Sequence, residues 1–176
     1  MILFRHCDRR FPFLWETTDQ PGARWHSEGE GPVQYFTDTP TGAWAEFLRH
    51  EGITDEADLE GVRRALWAIE TPIHQFDVRK PSLSPAVLRG GLDSYDACQR
   101  EARRLRAAGA VAILAPSAAL EAGGAGGFQV EGGERDGAPR DGIVYVVFGR
   151  QPQCVGWPVV EGGAAPSRIL PRVRHL

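Results

Sequence analysis

Two strand-length apolar runs, Ala110–Ala115 (AVAILA) and Gly142–Gly149 (GIVYVVFG), constrain this chain more than any other feature. A run with no polar member offers no face to water, so each predicts a strand buried inside a sheet. The first is broken at Pro116-Ser117. Between them lies Gly123–Gly142, rich in glycine and charge, which predicts a long flexible loop. Three further strands are predicted. Ile2–Arg5 is a short apolar start. Pro32–Thr37 (PVQYFT) alternates, with Val33 and Tyr35 on one face. Val62–Thr71 is ended by Pro72.

Helices interrupt these strands at irregular intervals. Asp38-Thr39-Pro40 pairs a capping side chain with proline at the first helical position, and Gly52 supplies the stop, so a helix is predicted to about His50. Its apolar stripe is Ala43, Trp44, Phe47 and Leu48, and Glu46 falls off that stripe. Ser84-Pro85 opens a short helix stopped by Gly90-Gly91. Asp93–Ala108 is the clearest helix, capped by Asp93 or Ser94, with Arg103, Arg104 and Arg106 in its last turn and Gly109 after it. Tyr95, Cys98, Ala102 and Leu105 form its buried face. Asp55–Gly61 allows one helical turn, and the tail after Gln151 predicts no defined element. Strands and helices mix without steady βαβ alternation, so the class is α+β, and 176 residues suit one domain spanning residues 1–176.

Composition removes several function classes. A net charge of −3 argues against a phosphate-driven nucleic-acid binder. Cys7, Cys98 and Cys154 are odd in number and widely spaced, so neither a disulfide framework nor a zinc site is indicated. Met1–Arg10 has no apolar core of a signal peptide, and no apolar run approaches the ~20 residues that span a bilayer. The expectation is a cytoplasmic protein without bound metal, with no membrane or direct nucleic-acid partner. Whether it forms a homodimer is left open.

The chemically useful side chains sit at element ends: Arg24 in a glycine loop, Tyr35 on the following strand, Glu46 on the next helix, Ser117 after a buried strand. Each has an ordinary structural reading when taken alone: a solvated charge, a core ring with a wet hydroxyl, a surface carboxylate, a turn former. No G-x-G-x-x-G, no G-x-x-x-x-G-K-[ST] and no G-x-S-x-G elbow is present, and the five histidines show no metal spacing.

In combination these residues carry a resemblance. Phe4-Arg5, then Gly22-Ala23-Arg24-Trp25, then Pro32–Phe36 followed by Ala43-Trp44-Ala45-Glu46, then Leu114-Ala115-Pro116-Ser117-Ala118 and the strand Ile143–Phe148 occur in the order of the RES domain family. The chain resembles that family over about residues 2–150. The resemblance implies a fold similar to ADP-ribosyltransferase toxins, built on mixed, mostly antiparallel sheets with flanking helices. It implies the toxin half of a bacterial toxin–antitoxin pair that degrades NAD⁺, partnered by a small protein with an Xre-like helix-turn-helix domain. Arg24, Tyr35, Glu46 and Ser117 fall on the family's key positions, and Arg5 is a further candidate for holding the nucleotide. Two positions depart from the family: His26 stands where Asn is usual, and Ala119 and Leu120 follow the Pro-Ser-Ala block where an Arg is common.

The implied chemistry suits these side chains. Nicotinamide leaves as a neutral molecule, so no general acid is needed, but the ribose develops positive charge that a fixed carboxylate stabilises. Glu46 is the candidate. Arg24 offers a planar fork to the pyrophosphate or its ribose. Tyr35 stacks on the nicotinamide or walls the pocket, and Ser117 bonds the nucleotide or orients Glu46. Cleavage of NAD⁺ by water or phosphate is the first reading. Protein ADP-ribosylation and a non-catalytic role in binding a nucleotide or partner are the alternatives.

Overall fold

The computed structural model describes all 176 residues. Nine strands and three α-helices occur: β1 (Ile2–Asp8), β2 (Val33–Thr37), α1 (Pro40–His50), β3 (Arg64–Glu70), β4 (Val78–Arg79), α2 (Pro85–Arg89), α3 (Tyr95–Ala107), β5 (Ala112–Pro116), β6 (Phe128–Val130), β7 (Glu134–Asp136), β8 (Ile143–Phe148) and β9 (Val155–Gly163). Seven strands form one sheet in the order β4-β5-β8-β2-β1-β3-β9, and β6 and β7 form a separate hairpin. Every neighbouring pair in the large sheet is antiparallel except β4 with β5, so the class is α+β.

The sheet is continuous in name but divided in fact. β1 pairs with β3 from Ile2↔Glu70 to Asp8↔Arg64, and β2 pairs with β8 along its whole length. Between β1 and β2 the register has one pair, Phe4↔Thr37. The two halves, β9-β3-β1 and β2-β8-β5-β4, therefore splay from a single junction. The gap is taken up by the segment before β2. There the Gln20 side-chain amide donates to the Val33 carbonyl at 2.9 Å and accepts from the Val33 amide at 2.7 Å, replacing a missing strand partner.

Each half carries its own core. Trp44, Phe47 and Leu48 of α1 pack with Leu66 of β3 and with Ile169 and Val173 near the C-terminus. Cys98, Ala102 and Leu105 of α3 pack with Val33, Ile113, Val144 and Val146 of the other half. Phe4 and Tyr35 lie on these respective cores, and the Phe4↔Thr37 register puts both on one face of the sheet. α1 and α3 thus cover the same face of the sheet, one on each half. A third cluster, including Leu3, Phe36, Ile69 and Val147, closes the opposite face.

Several predicted boundaries move. β1 runs on to Asp8 because its ladder with β3 continues past the apolar residues. The Gly-rich stretch predicted as a loop contains the β6–β7 hairpin. The Phe128 ring there lies under the guanidiniums of Arg168 and Arg172, and Arg168–Glu134 and Arg172–Asp136 ion pairs tie it to the C-terminal segment. The tail, predicted without structure, supplies the edge strand β9 and a 3₁₀ turn at Ser167–Arg172. Most β9 side chains are exposed, so no periodic apolar signal marks it. α3 starts at Tyr95 rather than Asp93, and Ser94 does not cap it. Its hydroxyl donates to Gly91 and receives Arg24 instead.

Candidate active site

The splay opens a cleft of about 700 Å³, lined among others by Arg5, Trp15, Arg24, Tyr35, Glu46, Arg49, Arg64 and Tyr95. Glu46 reaches it because α1 is almost wholly buried. Trp44, Ala45, Phe47 and Leu48 face protein, which leaves the side carrying Ala43, Glu46 and Arg49 to meet the cleft. The helix is set in place by Thr39, whose hydroxyl accepts from the Gly42 amide at 3.0 Å, and it ends before Gly52, at φ 66°.

Ser117 is buried behind the carboxylate rather than exposed in the cleft. Its hydroxyl donates to Glu46 Oε1 at 2.8 Å and accepts from the Ala119 amide at 3.2 Å, so its direction is fixed. Its backbone amide is held by the Gly142 carbonyl at 2.8 Å. A Cβ at Gly142 would come within 2.6 Å of Leu120 and 3.2 Å of the Ser117 Cβ, so glycine permits the close approach of this strand end to the Ser117 turn. Burial pushes the Glu46 carboxyl above the usual glutamate range. The Ser117 hydroxyl, Arg24 and Arg49 oppose that shift.

Arg24 is 9% exposed and heavily engaged. Nη1 donates to Ser94 Oγ at 2.8 Å, Nη2 donates to the Gly90 carbonyl at 2.6 Å, and the guanidinium lies 4.9 Å from the Tyr95 ring centroid. Tyr35 presents its ring to the cleft while its hydroxyl is turned into the glycine loop. It accepts from the Trp25 amide at 3.1 Å and lies 2.9 Å from His26 Nδ1. His26 is wholly buried, so it serves as an anchor of Tyr35. Burial holds the His26 imidazole below its ordinary pKa, with the Pro21 backbone acting in the opposite sense. Arg5 donates to Gln34 Oε1 at 3.0 Å, and burial lowers it to about 10.

The structure therefore brings Arg5, Arg24, Tyr35 and Glu46 to one cleft and puts Ser117 in contact with Glu46. Two participants escaped the sequence reading. Gln34, wholly buried, joins three elements: its amide oxygen also accepts from the Trp15 backbone, and its amide nitrogen donates to the Trp15 carbonyl at 2.7 Å. Arg49 lies one turn after Glu46 and donates to the Ala118 carbonyl at 2.7 Å. The i,i+3 spacing of Glu46 and Arg49 was a visible signal that both share a helix face.

Charge distribution gives the cleft its character. Arg5, Arg24, Arg49 and Arg64 all line it, and none is within ion-pairing distance of a carboxylate. Ten other arginines of the chain each have an acidic partner. Withdrawn guanidiniums without counter-ions are costly, and a site that keeps them is built for an anion. His6 stays uncharged among them: it accepts from Arg64 at 3.1 Å, and burial, then Arg64, lower its pKa to about 3.

A splayed, mostly antiparallel sheet opening an aromatic-walled cleft, with a serine-held carboxylate and four arginines free of ion pairs along its lining, defines an α+β protein equipped for an anionic ligand. The chain belongs to the RES domain family, whose model matches residues 2–167. That match reaches past the sequence blocks into β9 and the start of the last 3₁₀ turn. No curated protein matches the chain. Membership is consistent with an NAD-related activity or a toxin role. No helix is long and apolar enough to cross a membrane.

Proposed function

We propose that this protein breaks the nicotinamide–ribose bond of NAD⁺, with Glu46 as the catalytic carboxylate, as the toxin of a toxin–antitoxin pair. The observation that carries the reading is a Ser117-oriented carboxylate in a cleft whose other charged groups include four arginines without acidic partners. NAD⁺ matches both features: its two phosphates are anionic, and its ribose becomes cationic as the bond breaks. The pair of electrons of the C1′–N bond leaves with nicotinamide. Glu46 stabilises the oxocarbenium-like ribose while the partly enclosed cleft keeps the local dielectric low. Water then forms the new C1′–O bond and loses its proton to solvent, or phosphate takes its place. Arg24 and Arg5 favour the pyrophosphate end, and the Tyr35 ring walls the nicotinamide end. On the same reading the physiological partner is a small protein with an Xre-like helix-turn-helix domain.

The test is product identification after mixing purified protein with NAD⁺, with and without phosphate. Wild type releases nicotinamide, and Glu46→Gln lowers the rate by about 10²–10³. Intact NAD⁺ in the presence of folded wild type overturns the proposal. A mass increase of one ADP-ribose on a protein target would move the assignment to the transferase reading.

A further inference from the structure

Arg49 is 6% exposed, yet all its hydrogen bonds go to neutral oxygens. Nη1 donates to the carbonyls of Ala118 and Arg174, each at 2.7 Å, and Nη2 donates to the carbonyl of Gly90 at 2.8 Å. Arg24 donates to that same Gly90 oxygen at 2.6 Å. Two guanidiniums that line the cleft, from α1 and from the glycine loop, therefore converge on one backbone oxygen. Neutral oxygens accept from both groups, and neither guanidinium makes an ion pair, Glu46 acting on them only from beyond ion-pairing distance. Burial and then the neighbouring Arg24 pull the Arg49 pKa below its ordinary value, with Glu46 acting in the opposite sense. A residue needed only to staple three backbone segments gains nothing from being a second cation beside Arg24. An anion arriving between the two forks would relieve their repulsion and supply charge-assisted bonds stronger than those to Gly90.

We infer that Arg49 is a ligand-binding residue that acts with Arg24 as a two-forked receptor for the diphosphate of a nucleotide ester, the Gly90 carbonyl holding both forks side by side. The assignment rests on the proposed NAD⁺ reading for the nucleotide, and on the arginine geometry for the diphosphate. Arg49 sits on the same helix as Glu46, so the receptor sets the distance between the pyrophosphate and the catalytic carboxylate.

Calorimetric titration of the intact chain with ADP, and separately with adenosine as the uncharged control, tests this. ADP binds wild type, and its Kd rises about tenfold or more in Arg49→Gln. Arg49→Lys keeps the charge but loses the fork. It also weakens ADP while leaving adenosine unchanged, and it serves where the Gln variant fails to fold. Unchanged ADP affinity in a folded variant overturns the inference. So does a parallel loss of ADP and adenosine affinity, the signature of a staple alone, or failure of ADP to bind wild type. ADP binding through Arg49 without nicotinamide release from NAD⁺ would sink the cleavage reading and leave this one standing.

Discussion

At the scale of residues, the proposed NAD⁺ cleavage makes the ionisation of Glu46 the controlling variable. A carboxylate stabilises a cationic sugar only when charged, and burial raises its pKa. The rate should therefore fall as pH drops through that raised value, placing the acid limb of the kcat profile above the ordinary glutamate range. Ser117 opposes the shift by donating to the charged form, so Ser117→Ala should move the limb to still higher pH and slow the reaction. Steady-state rates across the acid range check both, and an unmoved limb in Ser117→Ala would remove that hydroxyl from the account. Stability carries the opposite sign. Between the ordinary and the raised value, the folded protein holds a proton that the unfolded chain has released, so stability falls as pH rises through that window. Glu46→Gln should thus gain in melting temperature relative to wild type as pH rises, the two curves converging in acid. Comparing variant with wild type isolates this from His6. That side chain is lowered from 6.5 to about 3 and loses its contribution as pH falls through that interval.

At the scale of elements, α1 is the piece on which the site depends, and its start is held by one side chain. Thr39→Ala removes the cap on Gly42 and should cost about 1 kcal/mol. That corresponds to a fall of roughly 2–4 °C in the melting temperature of a domain this size, measurable by circular dichroism. The same loss loosens the first turn, one turn before Glu46. The β6–β7 hairpin is a contrasting case. None of its residues lines the cleft, and its exposed strands hold to the C-terminal turn through Phe128, Arg168 and Arg172. Phe128→Ala should leave nicotinamide release unchanged, and a loss of activity there would show that the hairpin takes part in the reaction.

At the scale of the whole molecule, the cleft exists because the sheet meets across its middle at one register pair. The gap is stabilised by Gln34, which satisfies Arg5 from one half and the Trp15 backbone from the segment that fills the opening. Gln34→Ala strands three polar groups at once. The expected cost is about 2–3 kcal/mol, or roughly 5–10 °C in melting temperature, with weakened nucleotide binding. A melting temperature equal to wild type would show that the two halves hold their spacing without it.

What was legible along the chain was what local chemistry dictates. The apolar runs became β5 and β8, Thr39-Pro40 and Gly52 bounded α1, and glycine after α3 closed that helix. Each is specified by its own neighbours along the chain. Its ordered blocks also singled out Arg24, Tyr35, Glu46 and Ser117 before any contact was visible. Strand β9 was illegible because an exposed edge needs no apolar pattern. The hairpin was hidden because its fixation comes from cation–π and ionic contacts with residues some thirty to forty positions away. Packing in three dimensions made Gln34 the residue that joins both halves of the sheet. It also decided that Ser117 would lie behind Glu46 rather than beside it, and that Arg49 would share an oxygen with Arg24. These are relations between side chains brought together by packing across the splay, and no periodicity along a single chain encodes them.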